Sequence, residues 1–249
     1  MKKILIKEIE KKLDKNVIKL GYNSNNFIIL DDDTLIEKSN LSKVINEIEK
    51  YDYKVNMVHM KEVAKKVEKY IKDNNCLKNI DAVILLGEGG KRFFKHLNAN
   101  SIFLNKEVYS IKWSRLWNKD QSKYFITNID EYDIKNKKVL IIEDVVASGG
   151  TLLNIDNYLQ KSNNTIELLI TCLIQECSPL IHKSFCKTIA GEVIKEINNG
   201  EDDPFWYPPI YSLRHLIYGD EEMPQIYDSL NKRYFNNEDN VERIIKKVR

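Results

Sequence analysis

Val139-Leu-Ile-Ile-Glu-Asp-Val-Val-Ala-Ser-Gly-Gly-Thr-Leu-Leu153 reads as several pieces in succession. The apolar, β-branched run Val139–Ile142 has the composition of a strand buried on both faces. Glu143 and Asp144 stand at its expected end. Ala147-Ser-Gly-Gly-Thr151 is a loop of small residues, and Leu152, Ile155 and Leu159 follow at helical spacing. Such a strand, acidic pair, glycine turn and helix start suit a phosphorylated sugar. Backbone N–H groups at a helix N-terminus hold phosphate, and carboxylates accept hydrogen bonds from sugar hydroxyls.

A second glycine segment lies upstream. Ile80–Leu86 is an apolar strand, Gly87-Glu-Gly-Gly-Lys-Arg92 is read as a loop, and a helix follows through Phe93 and Leu97. Gly87, Gly89 and Gly90, with Gly149 and Gly150, account for five of the nine glycines. Two such segments at strand ends of one sheet suggest a ligand with two phosphate groups. Neither is a common nucleotide motif. Ala147–Thr151 lacks the spaced Gly and Lys of a P-loop, and Arg92 stands where a dinucleotide fingerprint needs its third glycine. Lys91 and Arg92 are placed to meet phosphate, Arg92 in bidentate fashion. The competing reading makes them the exposed first turn of a helix.

The rest of the chain alternates helical and extended patterns. Ile6, Ile9, Leu13, Val17 and Leu20 have helical spacing, and Phe27–Leu30 reads as a strand. Leu41, Val44, Ile45 and Ile48 mark a helix with Ser39 or Asn40 as its cap. Met60, Ala64, Val67 and Ile71 line another helix. Ile102–Leu104, Glu107–Ile111, Ile166–Ile174 and Thr188–Ile194 read as strands. Strands separated by helices imply a mainly parallel α/β sheet with ligands at the strands' carboxyl ends. Asp31-Asp-Asp33 reads as a solvated turn, and His59, His96, His182 and His215 as structural residues without evident partners. Four of the five prolines fall within 204–224, around Phe205, Trp206, Tyr207 and Tyr211, which marks a folded C-terminal excursion. The chain closes with the amphipathic helix pattern of Val241, Ile244, Ile245 and Val248. The expected organisation is an α/β extension over residues 1–55, a core over 56–197 and a hood with terminal helix over 198–249.

At +2 in 249 residues, the net charge gives no reason to expect nucleic acid. No run reaches the roughly 18 apolar residues of a membrane span, and a cytoplasmic protein is expected. Cys76, Cys172, Cys177 and Cys186 are scattered and read as reduced thiols. Cys177, His182 and Cys186 lack a well-spaced fourth ligand, so no protein metal site is expected.

Ile142-Glu-Asp-Val-Val-Ala-Ser-Gly-Gly-Thr151 resembles the phosphoribosyl-pyrophosphate (PRPP) motif of type I phosphoribosyltransferases. The likeness extends in order across roughly residues 60–195. It implies an α/β fold with a five-stranded parallel-sheet core, helices on both faces, and a hood from the N- or C-terminal segments. It also implies transfer of ribose 5-phosphate from PRPP to a nucleobase, with pyrophosphate released and Mg²⁺ held mostly through PRPP. Carried over, Glu143 and Asp144 meet the ribose hydroxyls, and Ala147, Ser148, Gly149, Gly150 and Thr151 the 5-phosphate. Gly87, Glu88, Gly89, Gly90, Lys91 and Arg92 take the pyrophosphate position. Glu88 departs from the basic or small residue common there. Lys112–Tyr124, with two tryptophans, falls where the family keeps its mobile catalytic loop; a surface for single-stranded nucleic acid and a twisted hairpin are the other readings. Ala147 argues mildly against a 6-oxopurine, and Phe205–Tyr211 with Arg214 could stack on a base. The acceptor stays open, as does a homodimer. The alternative function is a regulatory protein that binds PRPP or a nucleotide without catalysis.

Overall fold

The protein is represented by a computed structural model, which describes residues 16–23, 27–32, 38–50, 54–98, 100–117, 123–147, 149–175, 186–195 and 210–213. In chain order the strands are β1 (Val17–Lys19), β2 (Tyr22–Asn23), β3 (Phe27–Asp31), β4 (Val55–His59), β5 (Ala82–Leu86), β6 (Glu107–Ile111), β7 (Trp113–Trp117), β8 (Lys123–Thr127), β9 (Lys138–Val146), β10 (Thr165–Gln175), β11 (Lys187–Ile194) and β12 (Ile210–Ser212). The helices are α1 (Lys38–Glu49), α2 (Met60–Asp73), α3 (Gly87–Leu97) and α4 (Gly150–Gln160). The chain divides into two compact units, residues 1–23 with 61–196, and 24–60 with 197–249.

The first unit is built on a sheet of order β1-β11-β10-β9-β5-β6, with β2 also on β11, and every pairing is parallel. Its central strands are buried almost throughout, as the apolar runs Ala82–Leu86 and Val139–Ile142 require. Ala82, Ile84, Leu86, Val139 and Ile141 share one cluster with Leu152, Ile155 and Leu159 of α4. The two-residue period of a strand turns Leu140 and Ile142 to the opposite face, where α3 packs against β9. The resemblance implied five core strands; β1 and β2 enlarge the sheet to seven. Val17 therefore belongs to a strand and not to the expected helix. Val17–Lys19 pairs with Thr188–Ala190, and sheet pairing of a β-branched segment outweighs a helical spacing of apolar residues. Residues 1–15 lie outside the described set.

One other expectation changes, and for a second segment one of the open readings is met. Ile102–Leu104 is a turn rather than a strand; Ser101 has φ 55°, and Phe103 is buried against Phe94, ring centroids 5.2 Å apart. Within Lys112–Tyr124, β7 pairs antiparallel with β8, Trp113 opposite Thr127 and Trp117 opposite Lys123. Its tip lies outside the described residues. The amino ends of β9 and β10 are tied by buried Asn164. Its Nδ2 donates to Ile134 O at 2.8 Å and to Leu159 O at 3.2 Å, and its Oδ1 accepts from Lys137 N at 3.0 Å. Cys172 and Cys186 are free thiols; burial pushes Cys172 well up and Cys186 up to about 12, which makes both unreactive.

The second unit contains the parallel sheet β12-β3-β4 and α1. Phe27–Leu30 are fully buried in its central strand. Asp31 is the last residue of β3, not part of a turn, and its Oδ2 lies 2.8 Å from Nδ1 of its register partner His59. His59 thus has a partner that the sequence reading did not foresee, and the adjacent Asp32 is buried. Ser39 and Asn40 lie inside α1 rather than capping it. The segments 205–209 and 241–248, with Asp33, Cys177, His182, Arg214 and His215, fall outside the described residues.

Replacing Asn164 by Ala removes the donor of two bonds and the acceptor of a third. A loss of about 2–3 kcal/mol is expected, read as a lower urea midpoint with unchanged m-value.

Candidate functional site

The acidic pair does not end its strand. β9 continues to Val146 because β10 pairs alongside it, Glu143 opposite Thr171, Val145 opposite Leu173 and Val146 opposite Ile174. Consecutive strand residues point to opposite faces, so the two half-buried carboxylates are presented on different sides of β9. Asp144 is fixed locally. Val145 N donates to its Oδ1 at 2.9 Å, and Thr171 Oγ1 donates to its backbone oxygen at 3.3 Å.

The segment Gly87–Arg92 is not a loop but the first turns of α3, which starts directly after extended Leu86. Gly87 makes this possible with φ +60°, a left-handed backbone that side chains disfavour. The next two glycines are required by contact. A Cβ on Gly89 would lie 2.2 Å from Asp144 Cγ and from both of its carboxylate oxygens. One on Gly90 would lie 2.4 Å from Ile142 O. The two glycine segments that the sequence reading linked only by analogy of position therefore meet, and Asp144 is the point of contact.

Charge around this turn is partly self-compensated. Lys91 Nζ donates to Glu88 Oε1 at 2.6 Å, and with Arg92 and Lys112 nearby the Glu88 carboxyl is held below its usual range. Glu88 is thus an anion at neutral pH, exposed and facing a cation. Lys112 sits at the start of β7, where Asn128 Oδ1 accepts from its backbone N at 2.7 Å.

At the second segment Gly149 takes φ 71° as the N-cap of α4, and Leu153 N donates to Gly149 O at 3.1 Å. Ala147 is exposed, while Gly150 and Thr151 are half-buried; Ser148 lies outside the described residues. Asn154 Nδ2 donates to Gly150 O at 2.7 Å and stiffens this first turn. Helix start and backbone dipole together form an anion-binding end.

The sequence reading missed Thr171 and Gln175 on β10. A hydroxyl and a terminal carboxamide interrupting the apolar run Leu168–Ile174 were the available signals. A cavity of about 350 Å³ lies elsewhere, lined by Ile129–Lys135, Tyr158 and Asn164 on the amino side of β9 and β10, away from the glycine turns. Among the described residues no three His, Cys, Asp or Glu side chains are grouped to hold a metal ion, and no described helix is long and apolar enough to cross a membrane.

Comparison with known proteins gives a family. The model of the phosphoribosyl transferase domain matches residues 52–206, more than half of the chain. Curated protein sequences gave no match. Among solved structures, adenine phosphoribosyltransferase of Giardia lamblia bound to 9-deazaadenine is 14% identical at a TM-score of 0.40, covering 52% of this chain and 78% of its own. A Neisseria gonorrhoeae protein with bound ppGpp is 16% identical at 0.45, covering 72% and 93%. A purine phosphoribosyltransferase of Pyrococcus horikoshii is 14% identical at 0.38, covering 68% and 92%. On the family match, with the parallel sheet and helices already described, this chain belongs to the phosphoribosyl transferase domain family.

Proposed function

We propose that the protein transfers ribose 5-phosphate from PRPP to a nitrogen heterocycle and releases pyrophosphate. The observation that carries this reading is the contact of Gly89 with the Asp144 carboxylate, which joins the two candidate phosphate positions through an acidic pair. The 5-phosphate is taken by Ala147–Thr151 and the amide groups opening α4. Asp144, on the side of β9 that meets α3, accepts from the ribose 2- and 3-hydroxyls, and Glu143, on the other side, acts on the sugar through its charge. As the bond from C1 to pyrophosphate breaks, positive charge develops on the ring, and the same carboxylates stabilise it more strongly than they stabilise the neutral ground state. Pyrophosphate lies over the turn Gly87–Arg92, where Lys91 and Arg92 supply cations.

Mg²⁺ would enter bound to PRPP oxygens, with Asp144 and Glu143 as the nearest carboxylates, and would neutralise the leaving group. Magnesium held between substrate oxygens and one or two carboxylates is its usual mode in phosphate chemistry. Glu88 favours a second reading, in which PRPP or a nucleotide binds without turnover, because its charge opposes the leaving group that Lys91 would otherwise attract.

Pyrophosphate release from PRPP with a panel of bases separates the two. Release with at least one base is expected; tight PRPP binding without release on any base would overturn the transferase reading. The double change Glu143→Gln with Asp144→Asn should weaken PRPP binding about 100-fold, since charge-assisted hydrogen bonds contribute about 1.5–3 kcal/mol each. Calorimetry with Mg²⁺ measures this, and an unchanged circular dichroism spectrum shows the fold intact. Gly89→Ala should displace the Asp144 carboxylate and lower kcat/KM about tenfold or more, with a Tm close to that of the unchanged protein.

A further inference from the structure

Gln175 closes β10, opposite Ile194 of β11 and one residue beyond the pairing of Ile174 with Val146 of β9. Its side chain is 4% exposed, and its Oε1 is buried with no hydrogen-bond partner among the described residues. Its neighbours Ile174, Val146 and Ile194 are apolar and fully buried, so the sheet itself offers no donor. An unsatisfied acceptor in such surroundings is destabilising, a cost that a leucine of similar shape would avoid. A ligand donor would offset that cost. The position agrees, because ligands of parallel sheets lie outside the strands' carboxyl ends, and β10 ends beside the strand that carries Glu143 and Asp144.

We propose that Gln175 reads the acceptor, its Oε1 receiving a hydrogen bond from the exocyclic amino group of the incoming heterocycle. The favoured substrate class is then an amino-bearing base rather than its oxo counterpart. This inference rests on the PRPP reading of the site and adds to it the chemistry of the second substrate. A site that hydrogen-bonds a ligand N–H rejects the analogue that presents a carbonyl oxygen there, because two acceptors are then left facing each other. The carboxamide can turn over and present Nε2 instead; in that case the preference reverses, and the proposal fails.

The test uses the full chain and pairs of nucleoside 5′-monophosphates that differ in an exocyclic amino or oxo group and in protonation of the ring nitrogen beside it, AMP against IMP and CMP against UMP, by calorimetry. Within at least one pair the unchanged protein should bind the amino member about tenfold tighter, a difference of about 1.4 kcal/mol. Gln175→Leu should erase that preference, and Gln175→Glu, which keeps the acceptor, should retain it. In turnover, Gln175→Leu should raise the KM for the base while leaving that for PRPP within about twofold. Ligand-free Gln175→Leu should match or exceed the original Tm, whereas a purely structural glutamine would lower it on replacement. A preference for the oxo members, no preference, or a ratio unaffected by Gln175→Leu would overturn the inference while leaving PRPP binding in place. Absence of binding by PRPP and by all four nucleotides would instead overturn the functional reading and this inference with it.

Discussion

At Gly89 the carboxylate of Asp144 fills the space a side chain would need, and at Gly90 the carbonyl of Ile142 does the same. This approach of a helix start to a strand end sets the remaining geometry. It places α3 against β9 with its amino end at the acidic pair, so the helix-end field falls on the same region as the cations of Lys91 and Arg92. It also explains why the sheet needs β9 as a long central strand: the carboxyl end must reach past Asp144 before the chain turns into Gly149. A methyl group at Gly89 would push the carboxylate aside, whereas one at Gly90 would press on the backbone of β9, where close packing leaves little slack.

The electrostatics of the turn are less one-sided than those of a simple anion site. Glu88 already partners Lys91, so any anion bound at this turn would compete with a carboxylate in place. Glu88 and Lys91 are both partly solvated, and the exchange therefore costs little; exposed ion pairs contribute at most about 1 kcal/mol. Lys91, Arg92 and Lys112 together hold the Glu88 carboxyl low, and with the Asp144 carboxylate against Gly89 the turn carries charges of both signs.

Much of the first unit was legible in the residues because its strands are buried on both faces. Ala82–Leu86, Val139–Ile142 and Leu168–Ile174 show as continuous apolar runs, and Gly149 marks its helix start by chemistry alone. What escaped was decided by partners distant in sequence. Val17–Lys19 is extended because β11 lies beside it, and Asp31 belongs to a strand because His59 stands opposite. The site showed the same division. Composition exposed the glycines and acids, but only packing revealed that Gly89 touches Asp144 or that Gln175 is buried without a donor. Phe103 was misread for a local reason, since a turn with Ser101 at positive φ carries the same apolar letters as a short strand.

The pairing of β1 with β11 joins residues near 18 to residues near 189, and the pairing of β3 with β12 joins residues near 29 to residues near 211. Both contacts close loops that contain most of the chain, and loop-closure entropy makes such contacts late ones. During synthesis the strands β5, β6, β9 and β10 emerge in order and can pair as they appear, while β1 waits for β11 and β3, already beside β4, waits for β12 on its other edge. Until then the wholly apolar Phe27–Leu30 presents one open strand edge. Order of synthesis thus makes that edge one of the last to close, and those four residues a stretch in need of protection from aggregation in the meantime.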